Sequence, residues 1–284
     1  MLFIALLLVG CMAPQQNENK LPTDPRPLLR MGAVPSESAE KIEDQYKAVI
    51  AYLERRLGYK VIFVVEADYQ GIIKKMRNKE LDIALYGPYS YIDAHATAGA
   101  HAFVTPENRR TGSTYQSLII THVDSGIRSL AGLKGRSFAF VDKKSTSGYL
   151  LPQSALIKQG IDPKRDFSKV VFAGHHDTAA LAVSKRTIDA AAVSTNVLKS
   201  LWEKGIIDET EIRVIHASAP VPQSVWAYRE GVSGDLVNRI KQAFLQAHLE
   251  PGALGLYEKD VVRFVATDDS AYDIIRETAK LLKQ

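Results

Sequence analysis

Three consecutive hydroxyl side chains stand in Asp142-Lys143-Lys144-Ser145-Thr146-Ser147-Gly148, directly after the apolar run Phe138 to Val141 and before a helical pattern reaching Gln159. Where a strand feeds a helix, the first N–H groups lack intrahelical partners and the peptide dipoles place partial positive charge there, so an anion is favoured. The hydroxyls add donors and Gly148 lets the backbone come close, whereas an ordinary N-cap needs only one Ser or Thr. A second turn of the same kind, Gly174-His175-His176-Asp177-Thr178, follows Lys169 to Phe172. Of its two imidazoles, His175 gains from its strand-end position as a donor to an oxyanion and His176 does not; Asp177 or Thr178 is the expected cap. The adjacent pair is poorly spaced for zinc and has no third ligand nearby, so no metal site is expected. Tyr69, Tyr86, Tyr89, Tyr91 and Tyr115 gather at strand ends in the first half. A phenol can donate to an oxyanion without the desolvation cost of burying a lysine, although packing is the commoner role for any one tyrosine.

These residues need a scaffold, and the composition provides for one. The chain has 284 residues, 46% hydrophobic and 24% charged, which fits two globular domains and excludes disorder, collagen and coiled coil. A single cysteine rules out an internal disulfide, a thiolate zinc site and an iron–sulfur cluster. Lys plus Arg number 36 against 32 Asp plus Glu, with no basic run beyond pairs such as Arg109-Arg110 and Lys143-Lys144, so nucleic acid is not an expected partner.

Residues Leu2 to Gly10 are uniformly apolar, but this is about half the length of a membrane-spanning helix. With the polar stretch Gln15 to Lys20 behind it, the run reads as the core of a signal sequence. It ends Leu8-Val9-Gly10-Cys11, which resembles the lipobox of bacterial lipoproteins and implies a signal over 1–11 with lipid attached at Cys11. Residues 12–28, polar and Pro-bearing, are read as a tether, and the folded body as starting near Leu29.

From there β and α patterns alternate. Met31 to Val34 reads as a strand and Ala39 to Leu57 as a helix, with Ile42, Tyr46, Val49, Ile50 and Leu53 at spacings of three and four and Gly58 as its stop. Lys60 to Glu66, Leu81 to Leu85, Ala102 to Thr105, Ser117 to Thr121, Val170 to Phe172, Ala190 to Val193, Ile212 to Ile215 and Val225 to Tyr228 read as further strands. Helical stretches fall at Gln70 to Lys79, Tyr89 to Ala98, Gly234 to Leu249 and Ala271 to Leu282. Repeated βα units argue for an α/β protein with mostly parallel sheets, in which ligands sit beyond the carboxyl ends of strands.

The strings Ala67-Asp68-Tyr69-Gln70-Gly71-Ile72-Ile73, Asp82-Ile83-Ala84-Leu85-Tyr86-Gly87 and Tyr115-Gln116-Ser117-Leu118-Ile119-Ile120 resemble the phosphonate, phosphite and phosphate binding proteins of ABC transporters. So do Leu130-Ala131-Gly132-Leu133-Lys134-Gly135, Ser145 through Pro152, and Ala173-Gly174-His175 through Val183, in order from about residue 30 to 230. The resemblance implies a type II periplasmic-binding-protein-like fold: two α/β lobes, each a mostly parallel sheet flanked by helices, joined by two hinge strands. On that reading 29–117 with 222–284 form one lobe and 118–221 the other. It implies an oxyanion held by Tyr69 and Tyr115, by Ser145, Thr146 and Ser147, and by His175, with Ser36, Tyr86, Thr195 and Ser224 as further candidates and no cofactor. An ABC permease with its ATPase is the implied partner, and the location is extracytoplasmic, on a membrane through the lipid anchor.

Members that bind aminoalkyl phosphonates carry acids where this chain has Thr195 and Ser224. A buried ammonium without a carboxylate is costly, so the expected ligand is phosphate, phosphite or methylphosphonate. Two other readings remain at this point. One is a sensory adaptor binding the same anion; the other is a phosphoester hydrolase using Ser145 or Ser147 with His175, for which no Gly-x-Ser-x-Gly elbow or metal cluster is visible.

Overall fold

The computed structural model describes residues 24–255 and 261–282; the expected signal, Cys11 and most of the tether lie outside them. Thirteen strands are described: β1 (Leu28–Ala33), β2 (Lys60–Val65), β3 (Ile83–Tyr86), β4 (Ala100–Asn108), β5 (Thr114–Tyr115), β6 (Ser117–His122), β7 (Ser137–Phe140), β8 (Lys169–Phe172), β9 (Ala190–Ser194), β10 (Ile212–Ala217), β11 (Val221–Pro222), β12 (Val225–Arg229) and β13 (Val261–Ala266). The helices are α1 (Ala39–Leu57), α2 (Tyr69–Arg77), α3 (Pro88–Ala98), α4 (Leu151–Lys158), α5 (Pro163–Asp166), α6 (His176–Ser184), α7 (Thr195–Glu203), α8 (Gly234–Gln246) and α9 (Asp273–Leu281).

The strands form two large sheets, one per lobe, ordered β13-β4-β12-β3-β1-β2 and β10-β6-β9-β7-β8. Neither is mostly parallel. In the first, β1 runs parallel to β2 and β3, while β12 is antiparallel to β3 and β4, and β13 to β4. In the second, β7 is parallel to β8 and β9, while β6 is antiparallel to β9 and β10. The cause is the crossing of the chain between lobes. Strands β6 and β12 each enter their sheet straight from a crossing and run opposite to the strands on both sides of them, and β13 at the edge of the first sheet runs opposite to β4. The two crossings are tied together as a short ribbon, Val221 opposite Tyr115 and Pro222 opposite Thr114.

Local sequence explains the elements. In α1 the buried residues Ile42, Tyr46, Val49, Leu53 and Leu57 form one stripe, and Gly58 takes the left-handed conformation (φ 73°) that ends the helix. β1 begins at Leu28, inside the segment expected as tether, because its register with β2 starts at Leu28 opposite Lys60. β4 extends on both sides of the expected Ala102 to Thr105, running through Pro106 despite its missing N–H. β13 has no counterpart in the sequence reading: a register shift between Val261 and Arg263 breaks the alternation, leaving buried Val261 and Phe264 three residues apart.

Apolar clusters pack each outer helix layer, with Trp226, Tyr52 and Phe244 among the fully buried side chains on the α1–α8 side of the first sheet. Another cluster runs through both lobes, from Val34, Ile72 and Tyr91 to Val141, Val183 and Leu198. Helix α9 spans them too: Ile275 and Ala279 pack with Tyr115, Leu150 and Val221.

One buried carboxylate clasps the first sheet. Asp82 accepts from the Arg30 N–H (2.9 Å), the Arg30 guanidinium (2.8 and 3.0 Å) and Arg229 (3.0 Å). Burial pushes its pKa up, but the hydrogen bonds and charge of the arginines outweigh burial and hold it below the usual carboxylate range. A depressed carboxyl pKa contributes stability above the unfolded value, about 3.9, and loses it as pH falls through the folded value. Asp82→Asn is expected to cost about 2 kcal/mol at neutral pH, with the deficit shrinking below about pH 4. Urea unfolding across pH checks both.

Candidate functional site

Between the lobes lies a cavity of about 60 Å³. One water needs roughly 10–15 Å³ on that scale, so the space matches a species of about five heavy atoms. It lies where α2, α3, α6, α7 and the segment leading into α4 begin: Tyr69 opens α2, Gly87 caps α3, Ser145 caps the turn before α4, His176 opens α6, and Ser194 caps α7. Among the described residues lining it there is no Asp, Glu, Lys or Arg.

The hydroxyl segment is more than a helix end. Thr146–Leu150 winds as a π-turn, with the Leu150 N–H donating to Ser145 O (3.0 Å). Pro152 follows and has no N–H, so the carbonyls it would have engaged, those of Ser147 and Gly148, take other donors: Ser117 Oγ at 2.6 Å and the Val141 N–H at 3.0 Å. A Cβ on Gly148 would stand 2.4 Å from Val141 Cβ, which explains why only glycine fits against β7. Ser145 Oγ accepts from the Gly148 N–H (3.0 Å), and Thr146 Oγ1 accepts from the Tyr89 N–H across the cleft (2.8 Å).

Ser145, Thr146 and Ser147 all line the cavity, as do Tyr69 and Tyr115. Ser145 lies close enough to the Tyr69 phenol, and Thr146 and Ser147 to that of Tyr115, to influence their ionisation. Burial raises the pKa of both, Tyr115 to about 12, so each stays a neutral donor. Ser36 and Ser224 also line the space.

The histidine assignment is corrected. His175 still has extended backbone (φ −129°, ψ 153°), and its ring reaches the other lobe, Nδ1 lying 2.9 Å from Pro35 O. His176, the first helical residue, turns its ring into the cavity wall. Its Nδ1 accepts from the Ser194 N–H (3.1 Å), which leaves the hydrogen of the neutral ring on Nε2, 3.5 Å from Ser145 Oγ. Burial depresses its pKa to about 4, so the ring serves as an uncharged donor. Two further candidates stand elsewhere. Tyr86 is fully buried and absent from the cavity lining, its hydroxyl without a partner among the described residues. Thr195 faces a neighbouring groove and binds the Gln116 N–H (3.1 Å). Gly87, Ser194 and Asn196 line the cavity and were missed as ligand candidates. The signal for Ser194 is the same strand-to-helix hydroxyl that singles out Ser145.

The lobes also touch directly. Lys41 Nζ meets Asp177 Oδ2 at 2.8 Å, Lys144 Nζ meets Asp93 Oδ2 at 2.8 Å, and the His176 N–H donates to Ser36 O at 2.9 Å.

A two-lobed solute-binding protein with its site between the lobes is the class that this fold and cavity define. Residues 31–272 match the family of periplasmic substrate-binding proteins of phosphonate ABC transporters, and the chain belongs to that family. The family consists of transport components, not enzymes. The chain is 28% identical to the phosphate-import protein PhnD of Mycolicibacterium smegmatis, covering 97% of this chain and 89% of that one. It is 30% identical to the phosphonates-binding periplasmic protein of Escherichia coli, covering 81% and 69%. A binding protein of a phosphonate ABC transporter from Pseudomonas aeruginosa superimposes with a TM-score of 0.85 at 26% identity, covering 89% and 86%. PhnD1 of Prochlorococcus marinus, solved with methylphosphonate, shares the fold with a TM-score of 0.82 at 19% identity, covering 90% and 98%. Among the described residues no helix is long and apolar enough to cross a membrane.

A histidine with a depressed pKa contributes stability that is full above its unfolded value, about 6.5, and is eroded as pH falls toward the folded value, about 4. His176→Gln is expected to flatten that part of the stability profile, read from unfolding midpoints between pH 4 and 7.

Proposed function

We propose that this chain is a lipid-anchored extracytoplasmic receptor that captures a small phosphorus oxyanion, phosphite, methylphosphonate or phosphate, and delivers it to an ABC permease. The observation carrying this reading is the uncharged, hydroxyl-lined cavity at converging helix starts. Hydroxyls, phenols and an imidazole N–H all donate, and hydrogen bonds to an ionised acceptor are roughly twice as strong as neutral ones. The dipoles of the helices add positive potential without any counter-ion. Members of the class named for phosphate, phosphonates and a methylphosphonate complex support the same ligand chemistry.

The size of the ligand follows from volume and charge together. A cavity near 60 Å³ has little room beyond a tetrahedral centre. With Ser224 at its wall and Thr195 outside it, no carboxylate among the lining residues could neutralise an ammonium. The anchor is read from Leu8-Val9-Gly10-Cys11.

A thermal-shift panel tests the reading, since a ligand at about 100 times its Kd adds roughly 2.7 kcal/mol to the folded state. Phosphite, methylphosphonate or phosphate should raise the midpoint, and aminoethylphosphonate should do so far less; the reverse order would reject the ligand class. Ser145→Ala should weaken binding by about tenfold or more, the loss of one charge-assisted hydrogen bond, in calorimetry. Equal affinity would remove Ser145 from the site.

A further inference from the structure

The small cavity has a larger neighbour. A groove of about 550 Å³ runs between the end of β4 and α7, walled by Leu118, Thr195, Trp202 and Glu209. Asn108, 6% exposed, also lines it, and its Oδ1 has no partner among the described residues; the buried indole N–H of Trp202 has none either. The groove therefore offers two apolar side chains, Leu118 and Trp202, beside an unused donor and an unused acceptor, in a lining that also includes Arg110, Lys199 and Glu203.

Asn196 is common to the linings of cavity and groove. It sits in the first turn of α7, and its Nδ2 donates to Gln223 Oε1 at 3.1 Å. Gln223, 2% exposed, lies on the return crossing and is held in place: its N–H donates to Ser113 O (2.9 Å) and its Nε2 to Thr114 O (3.4 Å). The Asn196 side chain is thus pinned, across the cleft, to a partner that cannot easily follow it.

Building on the oxyanion reading above, we infer that the Asn196–Gln223 hydrogen bond is the size gate of the ligand cavity. It walls the cavity off from the groove and limits the substituent on phosphorus to about the bulk of a methyl group. With the bond gone, the side of the cavity opens onto the groove, and alkylphosphonates whose chain can lie along Leu118 and Trp202 are admitted. Specificity here comes from exclusion as much as from contacts to the oxyanion.

Calorimetry on the full chain with methylphosphonate and butylphosphonate tests the gate. Wild type is expected to prefer methylphosphonate. Asn196→Ala should reduce that preference by about tenfold or more, the scale on which pockets discriminate by a methylene or so. Gln223→Leu, which leaves the cavity lining in place, should shift it in the same direction and decides the matter should Asn196→Ala fail to fold. In the gate-opened background, Trp202→Ala should withdraw the gain for butylphosphonate while sparing methylphosphonate. An unchanged preference in the folded variants overturns the gate, and a gain that survives Trp202→Ala overturns the groove as the place where the chain lies. A wild type that binds no phosphorus oxyanion defeats the oxyanion reading instead, so the two failures are distinct.

Discussion

Taking an anion out of water without a counter-charge is costly, and the arrangement of this molecule follows from how that cost is offset. Five helical segments begin at the rim of one cavity. Each brings N–H groups that its own helix cannot use and the positive end of its dipole. Neutral hydroxyls and phenols complete the set, so a bound oxyanion can be satisfied by donors that themselves lose little on burial. The sheets serve this convergence. The parallel half of each sheet delivers strand ends and helix starts to the same edge, and the antiparallel half carries the chain to the other lobe and back. Gly148 and Pro152 fit the same logic. One lets the π-turn press against β7, the other frees carbonyls to anchor that turn to β6 and β7, and the hydroxyls are held where they can work.

Much of this was legible before the structure. The stripe of α1, the strand-to-helix turn at Ser145 and the family motifs depend on local periodicity and on short strings, which a sequence displays directly. What escaped had nonlocal causes. His175 and His176 are neighbours of the same type, and only the backbone angle at the start of α6 decides which ring faces inward. β13 hides behind a register shift that its partner β4 accommodates. The parallel bias expected from βα alternation fails where strands serve the crossings, since direction there is set by the lobe the chain has just left. Tyr86 and Thr195 sit beside residues that do line the cavity, but side chains alternate along a strand and turn about a helix, so adjacency in sequence did not bring them into it.

The contacts that join the lobes are of two kinds. Some run through the cavity wall, such as Thr146 Oγ1 with the Tyr89 N–H and Ser36 O with the His176 N–H. Others stand away from it, namely Lys41 with Asp177 and Lys144 with Asp93. Both kinds are bonds between protein groups. The arrangement of the lobes is therefore held in part by the chain's own groups.

Those outlying ion pairs separate the joining of the lobes from the chemistry of the cavity. Each one adds attraction between the two halves that does not depend on what the cavity holds. Because neither lysine–aspartate pair lines the cavity, both can part without disturbing the side chains that surround it.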